Sequence, residues 1–530
     1  MRMRIYQINK SYLLIAILFA AAILRFDQIN QPFIDLTTWR ESDTATIADN
    51  FYRGNWNILY PEISWNGPGL NYVGYEFQTL TYITAMLYRL FGQHDWVGRT
   101  VTALFGLWSI FAFYQLVRRV WDEKHALASA TFLAILPGSI YIDRSFVPDP
   151  VMVSLVVTSF WLLVAYLQTE RLYYLLLATL IGMLGFLTKI TGIFVGIPML
   201  YAIITILARK RMLRSKQLSL ICVATIVILV PVIAYYLWAH YISLNYPPYH
   251  IAAAGNWLWS EGLSKWLSEK YFLQKLFWIF KDFWTKPVII LVFVGLLLRP
   301  PQSNRDDNKA PWLFHWWIVA VVIYYLIGAK QLVDNRTNLN IINPAAAALA
   351  GHALIAIALW CKLRVGYPAT VAFMAAIIFF IGGFGYQDLK GIYYQPTAEK
   401  DYKLGLALRS VSQPGDLVVT IAHNIGNPVA IYYSQRRGWV FPPAWKGVVW
   451  WADDDMKNNS KTIRLLEELR AKGADWLGIV NEQKIQLSKD SPKFFKYIER
   501  TFEVNQESPD YIIYRISPGK YLDRINYTNK

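Results

Sequence analysis

Apolar runs of bilayer length recur along this chain, and nothing else in it constrains the fold as strongly. Runs of roughly 15 to 22 residues are long enough to cross the hydrocarbon core as helices. They occupy residues 11–26, 99–117, 125–141, 150–168, 172–188, 190–207, 217–237, 286–299, 312–329, 341–359 and 366–384. About 11–13 transmembrane helices are therefore expected. Composition agrees, since 55% hydrophobic and 16% aromatic residues are too many for an ordinary soluble enzyme. The first run follows the basic stretch "MRMRIYQINK" without a small-residue cleavage site after it, and is read as a retained span.

The net charge of +16 would suggest a nucleic-acid partner in a soluble protein, but here topology accounts for it and no nucleic acid is implied. The basic connections "RRVWDEK", "ARKRMLRSK", "RPPQSNRDDNK" and "CKLR" all fall on one side if the N-terminus is cytoplasmic. The same alternation puts residues 27–98, the Pro137–Pro150 turn, the Trp-rich 239–285 segment and everything beyond about 385 outside. The 239–285 segment reads as an interfacial helix pair. Cys222 and Cys361 lie far apart in or beside apolar runs and indicate neither a disulfide framework nor a metal site.

From about Tyr393 charges return and the apolar runs shorten. "DLVVTIA" and "ADWLGIV" are expected as buried strands, "SKTIRLLEELRAKG" as a helix ending at Gly473, and "FEVNQESPDYIIYRI" as a hairpin. The expected organisation is a transmembrane domain over 1–384, with a first outer loop at 27–98, and an extracytoplasmic α/β domain over 385–530.

The first outer loop holds Asp35, Arg40, Glu41, Asp43, Asp49 and Glu76. On a helix starting near Ser42, Asp43 would sit where the dipole keeps a carboxylate ionised, as a general base requires. Capping without catalysis fits Ser42 and Asp43 equally well. The turn "IDRSFVPDPVM" places Asp143, Arg144 and Asp149 at the outer mouth of two spans, a second cluster able to face the first. Ionisable groups at that boundary are costly and often functional, although Arg144 can snorkel and Asp149 can be a cap. Lys189 is open between an anchor and a phosphate contact. Arg336 has Asp334 as a local partner, and His240 and His250 lack ligand spacing.

These features resemble the GT-C membrane glycosyltransferases: the retained first span, the loop "WRESDTATIADNFYRGNW", the "R…PDP" turn and the terminal outer domain. Over residues 1–200 the chain is similar to the branch with protein O-mannosyltransferases and lipid A aminoarabinose transferase. The resemblance implies a GT-C fold and transfer of a sugar from a polyprenyl-phosphate donor to a protein, lipid or glycan acceptor on the outer face, with anomeric inversion. It also implies an acidic base or orienting group in the first loop, an acidic position at Asp149, and basic groups near the lipid phosphate, for which Arg144, Lys189 and Arg336 are candidates. Glu76 matches a second acidic position, with Arg40 beside the acidic residues. Many members begin the loop helix with an Asp-Glu pair, whereas "WRESD" leaves Glu41 and Asp35 as alternatives to Asp43. The Lys-Pro-Pro that often follows Glu76 is replaced by "FQTL", which puts a phosphate contact from this loop in doubt. No cofactor is demanded, though some members use a divalent cation. A bacterial plasma membrane is the expected location, with membrane lipids as surroundings. Rival classes are a lipid-linked glycan ligase or polymerase, a transporter, and a non-catalytic component of glycan assembly. The acidic loop after the first span disfavours the ligase, and charge at the boundary rather than the midplane disfavours the transporter.

Overall fold

The apolar runs fold as helices. The structure is a computed structural model that describes residues 10–54, 56–209, 215–249, 270–301, 308–327, 336–443 and 454–516, and each run coincides with a helix or a pair of helices. Among the described residues, six helices are long and apolar enough to cross a membrane: Asp95–Val120, Asp149–Thr169, Ile190–Arg209, Lys216–Asn245, Arg336–Val365 and Tyr367–Tyr393. Glu123–Ile135 and Pro137–Arg144, bent by 63° where they meet, make a seventh span if taken together. The sequence read 125–141 as one run. The bend has a local cause, because Leu136 is extended (ψ 122°) ahead of Pro137, which disfavours helix at the preceding residue. The remaining runs form shorter helices: Lys10–Phe26 and Leu172–Thr188 with 17 residues each, Lys286–Leu297 with 12 and Leu313–Ile327 with 15.

The chain divides into two compact units. The first comprises Met1–Ile29, Trp96–Leu237 and Asn256–Tyr394. Its central helix, Asp149–Thr169, is almost wholly buried, whereas Tyr367–Tyr393 is mostly exposed. The exposed side chains on such outer helices are apolar, among them Leu176, Leu200, Ile204 and Phe379. Lipid tails are as apolar as these side chains, so their exposure carries no penalty in a bilayer. Where helices meet, small residues let backbones approach. A Cβ on Gly295 would lie 2.0 Å from the carbonyl oxygen of Leu349, so any side chain there would separate Lys286–Leu297 from Asn343–Val365. The first half of the expected interfacial pair lies outside the described residues; the second is the helix Lys270–Trp284.

The second unit comprises Asn30–Asp95, Trp238–Gly255 and Gln395–Lys530, so the first loop groups with the C-terminal residues. A five-stranded sheet is formed by β1 (Leu417–Ile421), β2 (Arg437–Val440), β3 (Ala474–Val480), β4 (Glu503–Glu507) and β5 (Tyr511–Arg515) in the order β2-β1-β3-β5-β4. The first three strands are parallel and β5 and β4 antiparallel, which is the expected terminal hairpin. The helix Asn459–Ala471 ends just before Gly473, whose φ of +95° is the left-handed conformation glycine supplies at helix ends. The strand "RGWV" was not anticipated, since four residues carry too little pattern to stand out.

Side chains alternate across the sheet with period two. Val419, Ile421, Leu477 and Ile479 pack under the helices Asn459–Ala471 and Pro492–Thr501. Val418, Trp476, Val480 and Ile513 share the opposite core with Ile47, Phe51, Ile63, Trp65 and Tyr75 of the first loop. The loop also continues the sheet. Gly438 N donates to Ser64 O (3.0 Å), Gly67 N to Gly438 O (2.6 Å) and Val440 N to Trp65 O (3.2 Å), an antiparallel strip along β2. An edge that would otherwise leave unpaired backbone groups is thereby covered.

Candidate active site

The helix carrying the loop's acidic residues runs from Thr38 to Arg53, not from Ser42. Asp43 therefore lies in its second turn, and the capping role is ruled out by position. The hydroxyls around it are satisfied within the helix: Ser42 Oγ donates to Thr38 O (2.9 Å), Thr44 Oγ1 to Arg40 O (2.8 Å) and Thr46 Oγ1 to Ser42 O (2.8 Å). Asp43 alone among these is bound from outside. Trp65 Nε1 donates to its Oδ1 over 2.6 Å, and the Tyr75 hydroxyl to its Oδ2 over 2.5 Å.

Electrostatics make this carboxylate an unusual one. Burial pushes the Asp43 pKa up, and the donors Tyr75 and Trp65 with the Arg40 cation only partly counter it. Tyr75 is pushed well above the ordinary phenol range by burial and by Asp43, so it keeps its proton and donates. Arg40 pairs with Glu76 and lies over the Tyr75 ring, 4.7 Å from its centroid. Burial works against its charge, but Glu76, Tyr75 and Asp43 more than restore it. The result is a carboxylate whose two oxygens are aimed by neutral donors, with a fixed cation nearby. Such a group holds a proton more readily than an ordinary aspartate, the property a general base needs.

Glu41 is buried and accepts from Thr37 Oγ1 at 3.3 Å. Asp35 is buried where the chain enters the helix, its backbone oxygen accepting from Thr397 Oγ1 (2.8 Å) and Thr38 N (3.2 Å). Asp49 pairs with Arg53 at 2.8 Å. Of the three candidate bases, Asp43 is the one to which Trp65 and Tyr75 are seen to donate.

The first unit holds the other candidates. Asp149 is the first residue of its helix and lies after the cap, Pro148; its carboxylate meets Lys189 Nζ at 2.7 Å, so pairing replaces the capping expected for it. Both side chains are nearly inaccessible. Lys189 sits in an extended break between Leu172–Thr188 and the turn Ile190–Val195, which turns its amine toward Asp149. Arg144 is fully buried with its guanidinium 4.3 Å from the Tyr394 ring centroid, so it does not snorkel. Asp143 pairs with Arg25 at 2.8 Å, and Arg25 also donates to Ala134 O (3.0 Å) and Ser139 Oγ (3.2 Å). Arg336 lies 3.9 Å from Asp282; its expected partner Asp334 falls outside the described residues, as does His250.

Three residues at these clusters escaped sequence reading. Arg25 had a signal, an arginine within an apolar run, which is by default a functional or structural anchor. Trp65 and Tyr75 had none, because nothing in local pattern shows which aromatic will reach a carboxylate 22 or 32 positions away. Among the described residues there is no group of three or more His, Cys, Asp or Glu side chains placed to hold a metal ion. The partners of Asp43 are hydrogen-bond donors, not a ligand set.

Comparison with known proteins bears on the same regions. Residues 79–236 match the family model of dolichyl-phosphate-mannose-protein mannosyltransferase. YkcB of Bacillus subtilis (strain 168), a mannosyltransferase by name, is 24% identical over 149 residues; these are 28% of this chain and 20% of YkcB, so the chain spans about a fifth of that relative's length. ArnT from Cupriavidus metallidurans, solved bound to undecaprenyl phosphate, superposes with a TM-score of 0.60 at 11% identity, covering 96% of this chain and 99% of ArnT. The oligosaccharyltransferase AglB from Archaeoglobus fulgidus, solved with an inhibitory peptide and a dolichol-phosphate, gives 0.58 at 13% identity over 96% of this chain and 74% of AglB. At these identities the superpositions speak to architecture, and they agree with the sequence resemblance: the chain is an integral membrane protein of the GT-C fold.

Proposed function

We propose that the protein is a glycosyltransferase that moves a sugar, a hexose in the simplest case, from a polyprenyl-phosphate-linked donor to a hydroxyl acceptor. The observation that carries this is the buried Asp43 carboxylate aimed by Trp65 and Tyr75. The mannosyltransferase family match and the GT-C architecture support the reaction class.

In this reading the acceptor hydroxyl attacks the anomeric carbon while its proton passes to Asp43. The bond from that carbon to the lipid phosphate oxygen breaks on the opposite face, inverting the centre, and the phosphate leaves with the electron pair. Arg40 and Glu76 hold Tyr75, and through it Asp43, in place. For the charge that develops on the departing phosphate, the resemblance offers Lys189, oriented by Asp149, and Arg144 as candidate cations. Arg336 is a further cation for the lipid head group. No step is assigned to a divalent cation.

The basic connections support an N-terminus in the cytoplasm and the C-terminal domain outside a bacterial plasma membrane. A C-terminal tag that resists protease added outside spheroplasts would reverse that orientation. The reaction is tested with the full chain in nanodiscs and a radiolabelled polyprenyl-phosphate mannose. Transfer should be lost by about 10²–10⁴-fold in Asp43→Asn, as for removal of a general base. Equal transfer by the variant would remove Asp43 from the chemistry. Mass analysis of the product shows whether one sugar or an oligosaccharide moves, which separates the transferase from a ligase.

A further inference from the structure

A cleft of about 840 Å³ lies within the second unit, away from the Asp43 carboxylate. Three segments of that unit build its walls: the turn Asn66–Asn71, residues near Pro247 and Tyr249, and the helix Asn459–Ala471, with Trp439 and Pro443 beside them. The volume is that of an ordinary small-molecule site.

The turn is built to hold its shape. Asn71, only 2% exposed, donates to Gly67 O (3.0 Å) and Gly69 O (2.9 Å). Arg437 donates to Gly69 O over 2.8 Å and pairs with Glu62 at 2.6 Å. Gly67 has φ +98°, and a Cβ there would lie 2.8 Å from the Trp439 ring, so the turn closes onto the indole only with glycine at this position. Prolines 68, 247 and 443 and the exposed Leu70 add a stiff, partly apolar wall.

The opposite wall is charged. Lys461, Arg464 and Lys472 line the cleft together with one carboxylate, Glu468, which Arg464 approaches to 3.6 Å. Lys461 and Arg464 are three residues apart and so share a helix face. A stiff, partly apolar wall opposite an excess of cations suits a ligand with both a sugar ring and a multiply charged anion.

We propose that this cleft binds a sugar phosphate as part of an extended acceptor, at a point remote from the reacting hydroxyl. Along the strip that continues β2, successive side chains point to opposite faces. Trp65 reaches Asp43, and its neighbour Asn66 lines the cleft. An occupant therefore lies across the strip from the base and contributes binding rather than chemistry, the role of remote contacts that hold a substrate for reaction. This rests on the glycosyltransferase reading only for the word acceptor.

The test is titration calorimetry of the full chain in zwitterionic nanodiscs with three separate probes: mannose 6-phosphate, mannose and inorganic phosphate. Mannose 6-phosphate should bind saturably and more tightly than either other probe. Arg464→Glu with Lys472→Glu should weaken it at least about tenfold, ~1.4 kcal/mol. Leu70→Trp, an exposed change that fills the cleft without touching the core, should do the same, while Lys403→Gln at a different surface should not. Inorganic phosphate binding as well as the sugar phosphate, or full affinity in both cleft variants, overturns the proposal. Binding is also measured in Asp43→Asn, where it should persist. Intact transfer by Asp43→Asn with intact binding would then fault the reaction, and intact transfer by the cleft variants without binding would fault the cleft.

Discussion

The indole nitrogen of Trp65 lies 2.6 Å from Asp43, and the backbone oxygen of the same Trp65 accepts from Val440 in β2. One residue thus joins the candidate base to the sheet of the C-terminal domain. Trp65→Phe keeps the ring and removes the donor. Because that donor stabilises the ionised carboxylate, its loss should raise the apparent pKa of Asp43 further. In the wild type, activity should already decline as pH falls through a value above the ordinary ~3.9 of aspartate, since the base must be deprotonated. In the variant the decline should begin at higher pH, with kcat falling about tenfold, ~1.4 kcal/mol. A pH profile superimposable on that of the wild type would deny Trp65 this role.

Arg437 provides a more distant check. It touches Glu62, Ile63, Gly67 and Gly69 and clamps the loop strip onto β2. Arg437→Ala should move the acid limb in the same direction as Trp65→Phe, and by less. Reduced rate with an unmoved limb would mean that Arg437 serves stability alone.

Lys189 and Asp149 form a buried pair, and removing one partner strands the other's charge. Lys189→Met should lower stability by about 3–5 kcal/mol. The double variant Lys189→Met, Asp149→Asn should recover most of that loss, read by thermal unfolding in detergent. Under the proposed mechanism the double variant remains inactive despite its recovered stability. Recovered transfer would reduce the pair to a structural role.

Asp401 predicts a pH dependence of folding. It is fully buried, with Oδ1 accepting from His423 N at 2.9 Å and Oδ2 without a hydrogen bond, and burial pushes its pKa up to about 7. Its folded pKa lies above the unfolded value, so between about pH 4 and 7 the native state holds the proton more tightly. Its contribution to stability is therefore greatest below that window and falls as pH rises through it. In Asp401→Asn this decline should be lost, so that the difference between the wild-type and variant stabilities falls as pH rises through the window. Parallel curves for variant and wild type from pH 4 to 8 would contradict the assignment.

What could be read from sequence follows from the range of the forces involved. Apolar runs such as 150–168 and the buried strand "ADWLGIV" are local patterns, and they fold where expected. Helix ends were less legible. Asp43 looked like a cap because Ser-Asp is a common capping pair, yet the helix begins five residues earlier, at Thr38, with Thr37 in the capping position. The partners of charged groups were least legible of all: Arg25 reaches Asp143 across 118 positions and Arg437 reaches Glu62 across 375. Such pairings depend on packing that no local pattern records.

The strip that completes the edge of β2 also sets an order of events during synthesis. Ser64–Gly67 leave the ribosome roughly 370 residues before the strand they pair with, an interval of about 20–75 s at ordinary translation rates. Until β2 arrives, Trp65 has no backbone partner there and the core it shares with Ile513 is incomplete. A nascent or truncated chain would therefore carry every acidic residue of the loop and still lack an assembled centre. Under the proposed function, sugar transfer would become possible only after β2 and β5 had been made.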